Sequence, residues 1–222
     1  MNSGIIQLLV LAAIAVFLII KLKSVLGTRD GFEKPLARQD GRETVAERRG
    51  ADLTVVEGGL DPDIADHVPV GSAAADALAR MKAVEPEFSV GEFLGGAKGA
   101  YEMILMAFER GDISSVRPFL APEVAQSFDA AIEERKARGL TIEAQFHGLR
   151  ELTLINAEYN PTSREAEMTL RFVGELTTVV RNSAGEIVDG SKEEIKSQRD
   201  TWTFARIMGS GDPNWTLVAT SE

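Results

Sequence analysis

His147 and Glu143 come nearest to acid/base chemistry. In the alternating stretch 141–159 they fall on one side of a strand, facing away from Phe146, so a carboxylate–imidazole pair can form there. Gly95-Gly96-Ala97-Lys98-Gly99 gathers glycines around a lysine, yet it lacks the spacing of a phosphate-binding loop and a preceding strand, so no nucleotide is assigned. There is no serine-hydrolase elbow either. Glu133, Glu134, Arg135, Lys136 and Arg138 form a mixed-charge run at a helix end, which is expected to be solvated.

Composition narrows the chemistry further. With no cysteine and two histidines among 222 residues, thiolate catalysis, disulfides and the usual zinc or iron–sulfur ligand sets are excluded, and neither metal nor cofactor is expected. The formal net charge of −10 repels phosphate backbones, which excludes nucleic acid as a partner.

The elements that position these residues fall into three regions. Residues 4–22 read GIIQLLVLAAIAVFLIIKL, an apolar run just long enough for a transmembrane anchor if Lys21 and Lys23 snorkel. The basic residues Lys21, Lys23 and Arg29 follow the run instead of preceding it. The expectation is therefore an uncleaved single-pass anchor, N-terminus out, with the C-terminal domain in the cytoplasm. Residues 23–71 mix both charges with Gly and Pro and read as a flexible linker. Residues 72–222 read as a folded domain.

Within that domain Ser72 caps a short helix that must end by Pro86. In the next helix Phe93, Ala97, Ala100, Tyr101, Ile104 and Phe108 recur along one face. Gly95, Gly96 and Gly99 interrupt it, which implies close approach of a neighbouring element or of a ligand. Gly111 stops this helix, and Pro122 starts a third, closed by Gly139, with Val124, Phe128, Ala131 and Ile132 as its apolar stripe. The period then changes from 3.6 to 2. Alternating runs from Thr141, from Arg164, from Ile195 and from Trp215 predict four antiparallel strands, with bends at Gly148 and Gly174. Three helices followed by four strands make an α+β domain, its helices packed on one face of the sheet.

The residues Phe93-Leu94-Gly95-Gly96-Ala97-Lys98-Gly99-Ala100-Tyr101-Glu102-Met103-Ile104, then Ala107-Phe108, Gly111-Asp112 and Leu120-Ala121-Pro122, resemble the domain of mitochondrial inner-membrane translocase subunit forty-four. The anchor and charged linker look like those of its bacterial TimA-type adaptor relatives. The resemblance spans roughly residues 73–222. It implies a cone similar to the nuclear-transport-factor-two-like superfamily, in which a curved sheet and helices enclose an apolar cavity. It also implies a bacterial inner-membrane location and a part in protein translocation or membrane-complex assembly. The mitochondrial subunit tethers a seventy-kilodalton chaperone to the preprotein channel; this chain lacks the long charged helical region that precedes the domain there.

The expected function is a non-enzymatic adaptor or tether that binds an apolar partner: a membrane-protein client, a chaperone or translocase subunit, or a lipid. Phe93, Tyr101, Phe146, Met168, Phe172, Trp202 and Phe204 are the expected lining of its pocket, with Gly95, Gly96 and Gly99 leaving space beside them. The alternative is a small-molecule-binding or acid/base enzyme of the cone superfamily, resting on His147 and Glu143. A purely structural role in a membrane complex is a third reading. From residue 88 onward 14 Lys and Arg stand against 21 Asp and Glu, a net −7, so attachment to an anionic bilayer rests on the anchor.

Overall fold

A computed structural model of the chain describes residues 61–221. The expected anchor, and the linker up to residue 60, lie outside the described residues. Among the described residues no helix is long and apolar enough to cross a membrane.

The first helix, α1 (Pro62–Ala65), lies in the stretch read as linker. The short run is fastened by side chains that a periodicity search cannot register. Ile64 and Val68 are buried, and the Asp63 carboxylate accepts from the Val90 and Gly91 amides at 2.7 and 2.9 Å. Those amides are unpaired donors at the start of α3 (Val90–Arg110), so α1 caps a helix remote in sequence. Burial pushes the Asp63 carboxyl up, but hydrogen bonds from Lys82 and the two amides outweigh it and hold the group at about 2. Lys82 belongs to α2 (Ala73–Val84), whose N-terminus is capped by Ser72 and which ends before Pro86.

Helix α3 buries Phe93, Ala97, Tyr101 and Ile104, together with Val90, Leu105 and Ala107. It stops at Gly111, whose φ of +77° is left-handed. A 3-10 turn (Arg117–Phe119) leads to α4 (Pro122–Ala137). There Val124, Ala125 and Ile132 are buried and Phe128 is half-buried against Phe108, while Ala131, expected in the stripe, is exposed. The buried stripe leans toward Ala125, which leaves Ala131 on its opposite, exposed edge. Arg135 also departs from the solvated run. It donates to the Phe108 carbonyl at 2.7 Å and its side chain is only 13% exposed.

Four strands, β1 (Thr141–Tyr159), β2 (Glu165–Arg181), β3 (Ile187–Ile207) and β4 (Thr216–Ser221), form an open antiparallel sheet in sequence order. Ala166, Met168, Leu170 and Phe172 of β2 are fully buried beneath the helices, the three larger side chains each worth roughly 1.5–3 kcal/mol of apolar burial. Helices α2 and α3 lie against β1, whereas α4 reaches β4, where the Ala121 amide donates to the Leu217 carbonyl at 2.9 Å. The ladder of β1 shifts at Gly148 and at two further points. Gly174, expected to mark a bend, faces one of these shifts, between Leu149 and Glu151, while its pairing with β3 stays regular; a Cβ there would also lie 2.9 Å from the Tyr101 hydroxyl.

Strand β3 starts at Ile187, earlier than the expected Ile195, since the polar stretch before Ile195 gives no apolar alternation to read. Leu176 faces Lys196 while Thr178 faces Ser191, so β3 carries a bulge over 192–195. Strand β4 pairs β3 only over 201–205.

Candidate functional site

A groove of about 440 Å³ opens at one end of the helix layer. One wall is the N-terminal half of α3, presenting Gly96, Ala100 and Met103; the other is the aromatic group Phe88, Phe204 and Trp215, with Phe93 at the base. The rings are in contact: Phe93 and Trp215 have centroids 4.6 Å apart, and Phe88 lies 6.0 Å from Trp215. They meet because Phe93 lies on the buried face of α3, Phe204 on the buried face of β3, and the loop 209–214 delivers Trp215 between them.

Arg206 closes one end. Its guanidinium is paired with Glu85 at 2.8 Å and lies 5.1 Å from the Trp215 ring centroid and 5.9 Å from that of Phe88. The side chain is only 7% exposed, and its Nε–H is buried without a hydrogen-bond acceptor. Glu87 and Glu92 complete the rim.

The expected pocket residues therefore divide. Phe93, Gly96 and Phe204 line the groove. Tyr101, Phe146, Met168, Phe172 and Trp202 do not: they form the filled interior beneath α3, where Tyr101 stacks on Phe172 at 4.4 Å and touches Trp202 and Phe146. Gly95 and Gly99 are solvent-facing, and a Cβ added at Gly95, Gly96 or Gly99 would meet nothing within 4 Å. Close packing within the described residues is therefore not what these glycines serve.

The expected acid/base pair is not assembled. Glu143 is held by Arg181 at 3.0 Å and Lys192 at 2.9 Å, while His147 lies 3.3 Å from the Thr177 hydroxyl. Both lie on the face shared by Gln145, Thr177 and Val179, but four residues of strand at about 3.3 Å each keep them about 13 Å apart.

A family model described as the Tim44-like domain matches residues 74–222. The chain belongs to the Tim44-like domain family. Among solved structures, the intermembrane-space region of the chloroplast protein ARC6 is similar at 10% identity, with a TM-score of 0.40 over 57% of this chain and 92% of that chain. None of the curated proteins matches.

Two polar features of this Tim44-like domain escaped the sequence reading. Tyr101 donates to Asp200 at 2.6 Å inside the core, and Gln198 donates to the same carboxylate. Burial raises the Asp200 carboxyl above its ordinary range against the pull of these bonds; burial and the neighbouring carboxylate push the Tyr101 phenol up. The second is Arg206. Both were discoverable, because Asp200, Trp202, Phe204, Arg206 and Met208 alternate on one buried face, which places two charges in an apolar row.

Proposed function

We propose that this Tim44-like domain is a membrane-associated, translocase-related adaptor whose groove takes an apolar segment of a partner protein. The observation that carries the reading is the groove itself, an aromatic cleft beside a glycine-lined helix wall. Family membership supports the direction of that reading. The apolar run at residues 4–22 is the proposed anchor, the following residues the tether, and 72–222 the binding domain. Binding, positioning and release are the whole of the proposed activity; no bond is made or broken.

The test is direct binding of a labelled apolar peptide to the full chain in nanodiscs of neutral lipid. The variant Ala100→Trp, which fills the groove from its helix wall, should abolish binding. Undiminished binding by that variant rules out the groove as the docking site. Native mass spectrometry of the same preparation distinguishes a bound lipid, which a peptide would then have to displace.

A further inference from the structure

The chain has six methionines and no cysteine, so no thiol competes with the thioethers for a peroxide. Their surroundings differ. Met81, Met168 and Met208 are fully buried, and Met106 is half-buried. Met103 is 42% exposed, the most open methionine among the described residues. It also lines the groove, on the wall that α3 supplies.

The sequence around Met103 accounts for that openness. A helical side chain leans back over the residues three and four positions before it, which for Met103 are Ala100 and Gly99. Neither has the bulk to shield a sulfur atom. The carbons of the side chain still belong to an apolar wall, with Ala97, Ala100 and Ile104 lining the same groove. Leucine would supply that wall with similar helix propensity; methionine adds flexibility and a sulfur that accepts oxygen.

Oxidation at this position changes the groove and spares the fold. The sulfur takes one oxygen atom from hydrogen peroxide, which is reduced to water, and the thioether becomes a polar sulfoxide. In the open groove the new oxygen is solvated. An apolar occupant would cover it without offering a donor, so the cost of an unpaired buried acceptor falls on binding alone.

We propose that Met103 is a reversible oxidation site through which a peroxide releases the apolar occupant of the groove. The proposal rests on the groove reading given above and adds its regulation. Reversal takes a methionine sulfoxide reductase, whose thiols are oxidised to a disulfide while the oxygen leaves as water.

The test uses the full chain in nanodiscs of saturated phosphatidylcholine, treated with dilute hydrogen peroxide that is removed before a labelled leucine-rich peptide is added. Peptide mass mapping should find one added oxygen at Met103 about ten-fold sooner than at Met81, Met168 or Met208. Peptide affinity should fall about ten-fold as Met103 is oxidised, and recover after treatment with the reductase. Met103→Leu, compared with itself before and after peroxide, should show no fall, whereas Met106→Leu should fall as the parent does. Oxidation that reaches a buried methionine first, or a fall that Met103→Leu shares, overturns the proposal. A fall that the reductase leaves in place, or that tracks unfolding in urea, overturns it too. Affinity that stays level while Met103 is oxidised overturns the regulation and leaves the groove standing. If the untreated parent binds no peptide, the groove reading itself fails.

Discussion

Tyr101 is the residue on which most interior contacts converge, and its hydroxyl is what makes a carboxylate tolerable there. Tyr101→Phe keeps the stack on Phe172 but leaves Asp200 with Gln198 as its one remaining donor among the described residues. The expected cost is about 1–3 kcal/mol at neutral pH, measured by urea denaturation. The pH dependence has a definite sign. Because the folded Asp200 carboxyl titrates above its unfolded value of 3.8, its favourable contribution is complete below that value and is lost as pH rises through the folded one. The Tyr101→Phe penalty acts on the ionised form, so it should grow from pH 4 to pH 7; a penalty independent of pH would show that the bond does not serve the carboxylate.

At the scale of elements, α1 and α3 are joined through one acidic side chain. Asp63→Asn should cost about 1 kcal/mol, typical of a lost cap. Since the folded carboxyl is held at about 2, below its ordinary 3.8, the parent's advantage should be complete above pH 4 and fade as pH falls toward 2. An advantage that persists unchanged at pH 2 in thermal melts would refute the capping account. The glycines of the fold divide in the same physical way. Gly95→Ala and Gly99→Ala should each stabilise by about 0.5–1 kcal/mol, whereas Gly174→Ala, which pushes against Tyr101, should destabilise by about 1–3 kcal/mol; calorimetry that ranks them otherwise contradicts the packing described. Elements with a strong apolar rhythm, such as α3 and β2, were legible in the sequence. Helix α1 was not, because four residues carry no period and its anchor, Asp63, acts on amides far along the chain. The groove was half legible. Phe93, Gly96 and Phe204 lie on periodic elements, while Phe88 and Trp215 flank loops whose course only tertiary packing decides.

For the whole molecule, charge and attachment belong together. A chain of net charge −10 gains little from an anionic surface, which is why the apolar run at 4–22 is proposed as the attachment. After a high-salt wash the full chain should remain with the membrane fraction, while a chain of residues 61–222 should be recovered in the supernatant; membrane recovery of the shorter chain would move the attachment into the folded domain. The domain also presents a stretch of strand with nothing beside it. Beyond the end of β4, the outer side of β3 from 187 to 200 has no sheet neighbour among the described residues. Left straight, such an edge would template pairing between molecules crowded on a membrane. The four bulge residues 192–195 interrupt the row of amides and carbonyls; Glu193 and Glu194 add charge there, while Lys192 reaches back across the sheet to Glu143. That interruption lets neighbouring copies collide without zipping together into fibrils.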